Sequence, residues 1–180
     1  MENRWEIVFA GVGGQGLITV ASALGEAAAI HQGKNAALTS SYGVETRGTF
    51  TKSDIIISDA EIDFPEALQP DAVVALSDAA YKKYAEELDE NAILIYDCKE
   101  ASPLASKARQ YPFPITAMAI DAGGKACANF VSLGLLLGLL KLIDPSAVEK
   151  AIEERYRKNE RALKMNSGAF RLGLLSSAGQ

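Results

Sequence analysis

The sequence predicts an α/β protein: a single Rossmann-like domain over residues 1–180, with an open, mostly parallel sheet flanked by helices and a helical C-terminal part. Three observations predict it. A short β-rich strand runs directly into a glycine turn and a helix, strand and helix patterns go on alternating downstream, and the last third carries mainly helical signals. The 48% hydrophobic and 23% charged composition of the 180 residues suits one compact core.

Trp5 to Ala10 is short, β-branched and aromatic, and stops at Gly11, so it reads as a buried first strand. Leu17 to Ile30 is rich in alanine and leucine, with Gly33 as a helix stop. Asn35 to Thr39 predicts a second short strand and Thr49 to Ser58 a third, with a polar loop between them. Asp71 to Ser77 reads as a strand and Ala79 to Leu88 as an amphipathic helix. Asn91 to Asp97 and Ile115 to Asp121 are two further strand candidates, separated by a polar stretch and the pair Pro112 and Pro114, which forbids regular helix. Lys125 to Ile143 reads as the longest core helix. Asp144 and Pro145 then supply a cap and a first-turn proline for a charged helix over Ser146 to Lys158. The segment from Met165 to Gln180, small and glycine-spaced, reads as partly ordered only against something else.

A net charge of −5 with no block of Lys or Arg leaves no electrostatic footprint for nucleic acid or an anionic membrane. Cys98 and Cys127 are far apart and lack C-x-x-C spacing, so no disulfide framework, zinc site or iron–sulfur site is readable, and a reduced cytoplasmic location is expected. The amino terminus shows no signal-peptide pattern, and the apolar run Phe130 to Leu140 is well short of the roughly 20 residues that cross a bilayer.

Gly11-Val12-Gly13-Gly14-Gln15-Gly16 sits between strand and helix, the context that gives G-x-G-x-x-G meaning. Glycines permit positive φ and close approach, while the amides at a helix start attract anions. A dinucleotide site also needs an acidic residue about 20 positions on, at the end of the second strand. After Glu26, inside the helix, the next acid is Glu45, in the loop. Three readings stay open: an NAD or FAD site, against which the missing acid counts, glycines that only serve a tight turn and close helix–sheet packing, and a phosphate or cofactor edge that faces a partner.

The turn is followed by Ser41-Tyr42-Gly43-Val44-Glu45-Thr46-Arg47-Gly48, then by Ser53-Asp54-Ile55-Ile56-Ile57-Ser58. Downstream stand Asn129-Phe130-Val131-Ser132-Leu133-Gly134 and Asn166-Ser167-Gly168-Ala169-Phe170-Arg171-Leu172-Gly173. Together these resemble the gamma subunit of the 2-oxoacid:ferredoxin oxidoreductases, over nearly the whole chain. Thr49 departs from the pattern, where the family usually has a second glycine after Arg-Gly. The resemblance implies coenzyme A-dependent oxidative decarboxylation of pyruvate, 2-ketoisovalerate, 2-oxoglutarate or indolepyruvate, with electrons passed to ferredoxin. It implies alpha, beta and delta partner subunits that carry the thiamine diphosphate and iron–sulfur clusters, no cofactor bound by this chain alone, and no activity of the chain in isolation. An isolated chain would be able to homodimerise through the surface its partners cover.

The residues expected at the shared site are Gly11, Gly13, Gly14, Gln15 and Gly16 of the turn, with Tyr42, Glu45, Arg47 and Gly48 of the loop. Arg47 offers a planar donor fork to a carboxylate or phosphate, and Glu45 is placed to orient it. His31 reads as a helix-end residue, and neither cysteine as a nucleophile. Asn129 would either bond a backbone group in the core or face a subunit. Two rival functions remain: a free-standing nucleotide-binding protein, and a regulatory or scaffolding protein.

Overall fold

The computed structural model describes residues 4–42 and 50–178. Its strands are β1 (Arg4–Val12), β2 (Asn35–Tyr42), β3 (Phe50–Ser58), β4 (Ala72–Ala75), β5 (Ile93–Asp97) and β6 (Arg109–Phe113). Its helices are α1 (Leu17–Gln32), α2 (Asp78–Glu87), α3 (Ile115–Asp121), α4 (Ala128–Leu140), α5 (Pro145–Tyr156) and α6 (Glu160–Ser177), with a 3-10 turn at Lys125–Cys127. The six strands form one sheet in the order β2-β3-β1-β4-β5-β6. Only β3 runs against the others, paired antiparallel to both β1 and β2, while β1, β4, β5 and β6 pair in parallel.

Both faces of the central strands are covered, which is why those strands read as continuous apolar runs. Ile7 and Phe9 of β1, Val74 of β4 and Ile95 of β5 face α1 and α4. Val8, Ala10, Val73, Ala75 and Leu94 face the other way, against Ala80, Tyr81 and Tyr84 of α2. Gly33 ends α1 in the left-handed region, and Asp144 caps α5 by accepting from Ser146 N, with Pro145 in the first turn.

Three sequence expectations are corrected. Ile115–Asp121 is helix α3, and the last strand is Arg109–Phe113, inside the proline-bearing stretch. Pro112 is tolerated because β6 is an edge strand. Pro114 supplies no side-chain cap to α3; the buried Asp97 carboxylate does so from β5, accepting from Thr116 N at 2.7 Å. Lys125–Ile143 is not one helix, since a 3-10 turn precedes α4 and Lys141 leaves it at φ 52°. The longest helix is α6, 18 residues, which takes in most of the segment expected to be partly ordered.

The small residues that suggested looseness there are the reason for its tight packing. A Cβ on Gly173 of α6 would strike Val131 O of α4, and one on Gly134 of α4 would strike Phe170 O of α6. The two backbones are therefore in contact, with Ala169 and Phe170 fully buried beside them. Gly173→Ala should destabilise the chain by about 1–3 kcal/mol, the usual effect of overpacking, as read by urea unfolding. An exposed control, Gly168→Ala, has open space around the added carbon and should not destabilise it by a comparable amount.

Candidate functional site

The sheet reverses its direction of growth at β1: the chain first builds β2 and β3 on one side, then β4, β5 and β6 on the other. Open α/β sheets bind ligands at such a switch point, beyond the carboxyl ends of the strands. The glycine turn lies there. Val12 ends β1, residues 13–16 turn, and Leu17 opens α1.

The glycines are present for different reasons. Gly14 and Gly16 have φ of 92° and 72°, which side chains rarely adopt. Gly11 is buried, and a Cβ there would run into Gln15 Oε1. Gly16 in turn leaves the space that the Asn129 amide fills. Gly13 is the exception: it is exposed, its φ is not positive, and a Cβ would meet nothing within 4 Å. Nothing in its own described surroundings requires glycine at that position.

Gln15, expected at the ligand edge, has its amide engaged inside the protein. Oε1 accepts from Val12 N at 2.7 Å and Nε2 donates to Leu76 O at 2.8 Å. It thereby closes the turn and ties the end of β1 to the end of β4. Asn129, at the start of α4, donates from Nδ2 to Gly16 O at 3.1 Å. Tyr42 ends β2 in register with Thr51, which is in register with Gly11, so the flanks of the loop stand at the same edge of the sheet as the turn. The side chain of Tyr42, and all of Glu45, Arg47 and Gly48, lie outside the described residues.

Three clefts meet at the turn. Toward β4, about 460 Å³ is bounded by Gly13, Gly14, Ser77, Thr116 and Lys125. Toward α6, about 340 Å³ is bounded by Gly16, Thr19, Asn129, Tyr156, Arg161 and Asn166. Toward β3, about 280 Å³ is bounded by Gly13, Ile18, Thr51 and Ser53. A larger depression of about 840 Å³, between α5 and α6, contains no residue of the turn. Lys125 is paired with Glu100 at 3.4 Å, whereas Arg161 has no ion-pair partner among the described residues.

The rest of the chemistry is sparse. Burial pushes the Cys127 thiol up, so it stays protonated although it borders the α6-side cleft. His31 sits at the far end of α1, roughly 20 Å along the helix from the turn. Its Nε2 is buried without a hydrogen bond, 3.8 Å from Glu154 Oε1. Among the described residues no cluster of three or more His, Cys, Asp or Glu could hold a metal, and no helix is long and apolar enough to cross a membrane. Thr19 and Arg161 stand beside Gly14 and Gly16 in the α6-side cleft and supply it with a hydroxyl and a guanidinium.

Comparison with known proteins agrees with this architecture. Residues 6–176 match the family model for pyruvate ferredoxin/flavodoxin oxidoreductase. The 2-oxoglutarate synthase subunit KorC of Archaeoglobus fulgidus is 41% identical over 174 residues, 96% of this chain and 88% of that protein. The chain belongs to the pyruvate ferredoxin/flavodoxin oxidoreductase family. The gamma subunit of a keto/oxoacid ferredoxin oxidoreductase from Geobacter sulfurreducens superposes with a TM-score of 0.85 at 35% identity, covering 98% of this chain and 99% of that one. A 2-oxoglutarate:ferredoxin oxidoreductase from Magnetococcus marinus has a TM-score of 0.86 over 98% of this chain and 31% of its own, and at 19% identity it shows the fold alone. Within the family this is a gamma subunit of a 2-oxoacid:ferredoxin oxidoreductase.

The family patterns seen in the sequence come together in space. Asn129 and Asn166, from two separate motifs, border the same cleft as the glycine turn. Sequence reasoning left Asn129 undecided and passed over Arg161 and Thr19. The two asparagines were visible as motif residues, whereas Arg161 carries no signal until α6 packs on α4 and brings it to the cleft that Thr19 also lines. Gln15→Ala should lower stability by about 1–3 kcal/mol, because Val12 N and Leu76 O lose their common partner. Gly11→Ala combined with Gln15→Ala should be milder than the sum of the two single changes, since Gln15→Ala removes the side chain that a Cβ at position 11 would strike; a double-mutant cycle by urea unfolding measures this.

Proposed function

We propose that this gamma subunit serves an enzyme that takes 2-oxoglutarate, coenzyme A and oxidised ferredoxin to the acyl-coenzyme A, carbon dioxide and reduced ferredoxin, and that its glycine turn borders the approach of coenzyme A. The preference for 2-oxoglutarate over pyruvate or 2-ketoisovalerate is supported by the 41% identity to a 2-oxoglutarate synthase subunit. Alpha, beta and delta subunits would complete the assembly, and ferredoxin would reach it through them. In such an enzyme thiamine diphosphate supplies the electron sink for decarboxylation, and the clusters carry the electrons away. This chain holds neither, and its part is to orient and to exclude water.

One observation supports the binding role above the others. Gly13 has no positive φ, and among the described residues a Cβ there would meet nothing within 4 Å, so its missing side chain leaves space for something outside the described protein. The first helical bond of α1 is Val20 N to Gly16 O, so the amides before it have no partner within the helix and favour an anionic group such as a phosphate. The polar loop with Glu45, Arg47 and Gly48 leaves β2 and rejoins β3 at this edge, and Arg47 would add a fork of donors. The strand beside β1 on that side is the reversed β3, so the end of β2 is not next to β1 and, among the described residues, no acid stands there as a dinucleotide site requires. This counts against the free-standing nucleotide-binding alternative.

Gly13→Val in the purified assembly is the direct test. The fold should be kept, with the thermal midpoint unchanged, while KM for coenzyme A rises about tenfold or more, equivalent to about 1.4 kcal/mol of lost binding. The kinetics are read from 2-oxoglutarate-dependent ferredoxin reduction. An unchanged KM in an intact assembly would refute the border role, and faster turnover of pyruvate than of 2-oxoglutarate by the wild-type assembly would refute the substrate assignment.

A further inference from the structure

We propose that Asn129 is a positioning residue for the glycine turn, through which the packing of α6 on α4 sets where the turn's open edge stands. The consequence for catalysis rests on the reading of that edge as the border of the coenzyme A approach.

Asn129 is 4% exposed, and both ends of its amide are engaged. Nδ2 donates to Gly16 O at 3.1 Å, and Oδ1 accepts from Phe130 N at 2.9 Å. Because one partner is an acceptor and the other a donor, only one orientation of the amide satisfies both. The same Gly16 carbonyl accepts from Val20 N at 3.1 Å, the first helical bond of α1. That oxygen is satisfied without Asn129, so the second bond adds a fixed position and not a missing partner. Gly16 and Asn129 are also matched in shape, since the amide fills the volume a Cβ on Gly16 would need.

Asn129 is itself held by the next layer. It lies in the first turn of α4, and α4 touches the backbone of α6 along Val131, Gly134, Phe170 and Gly173. A continuous line of contacts thus runs from α6 through α4 to Gly16, the last turn residue before α1. The Asn129–Gly134 and Asn166–Gly173 motifs thereby share one role, which is to fix the height of the turn relative to the α6-side cleft.

Asn129→Asp separates positioning from packing. Aspartate keeps the acceptor for Phe130 N but turns a carboxylate oxygen toward Gly16 O, so the turn is pushed away. In the assembled enzyme KM for coenzyme A should rise about tenfold with kcat within about twofold. Amide exchange over residues 13–19 should quicken about tenfold while β4 and β5 are unchanged. If the aspartate variant does not assemble, Asn129→Ala is measured in the same two ways. Gly13→Val is run beside them. If it raises KM while the Asn129 variants lower only thermal stability, the positioning role is overturned and the reading of the turn stands. If Gly13→Val has no effect, the coenzyme A reading falls and exchange decides alone: quickening over 13–19 supports the hold by Asn129, and unchanged exchange overturns it.

Discussion

The bond pair made by Gln15 governs the region around it. At a switch point two parallel strands have their connecting chains leave in opposite directions, and nothing in a β ladder holds their ends together beyond the last paired residues. Here Ala10 is the last β1 residue paired with β4, at Ala75, yet the chain continues to Val12 and then turns. The Gln15 amide crosses that opening, accepting a hydrogen bond from Val12 N and donating one to Leu76 O. With the opening bridged from inside, Gly13 and Gly14 are left exposed on the outer side of the turn. The rim of the three clefts, which Gln15 itself lines, is therefore set by a pair of hydrogen bonds within the chain.

This arrangement gives the residues of the turn a division of labour. Gln15 faces inward and Gly11 makes room for it; Gly16 makes room for Asn129; Gly13 and Gly14 face out. Such a turn offers backbone amides and empty space, with no nucleophile and no general base. That suits a subunit of an enzyme whose reactivity belongs to cofactors, because the protein then contributes by placement and by keeping water out. The raised thiol of Cys127 fits the same pattern: a sulfur at the cleft wall is kept neutral by its burial.

Much of the fold was legible in the sequence. The first strand, the glycine turn and α1 announced themselves by composition, and the sandwiched strands by their unbroken apolar runs. What was not legible depended on partners far away in the chain. Ile115–Asp121 has the β-branched look of a strand, and its helix is started by Asp97, 19 residues before Thr116. The glycines and serines of α6 suggested disorder because their value lies in letting α4 come close. For the site, the glycine edge was readable, but the inward role of Gln15 was not, since its partner Leu76 is 61 residues away. Arg161 and Thr19 meet across one cleft only once α6 has packed.

The reversed β3 accounts for where the two flanks of the β2–β3 connection stand relative to the turn. Strand direction is not written in a strand's own pattern, so the sequence suggested a Rossmann-type start and then lacked the acid that such a start requires. With β3 inserted antiparallel beside β1, the position that acid would occupy is held by the beginning of a strand, Phe50 and Thr51, opposite Val12 and Gly11. The connection from β2 to β3 consequently emerges at the turn, where an ordinary crossover would have carried the chain to the opposite end of the sheet. The flanks of that connection, Tyr42 and Phe50, thereby stand at the end of the sheet where α1 begins, and a single change in strand direction sets both where the chain leaves β2 and where it enters β3.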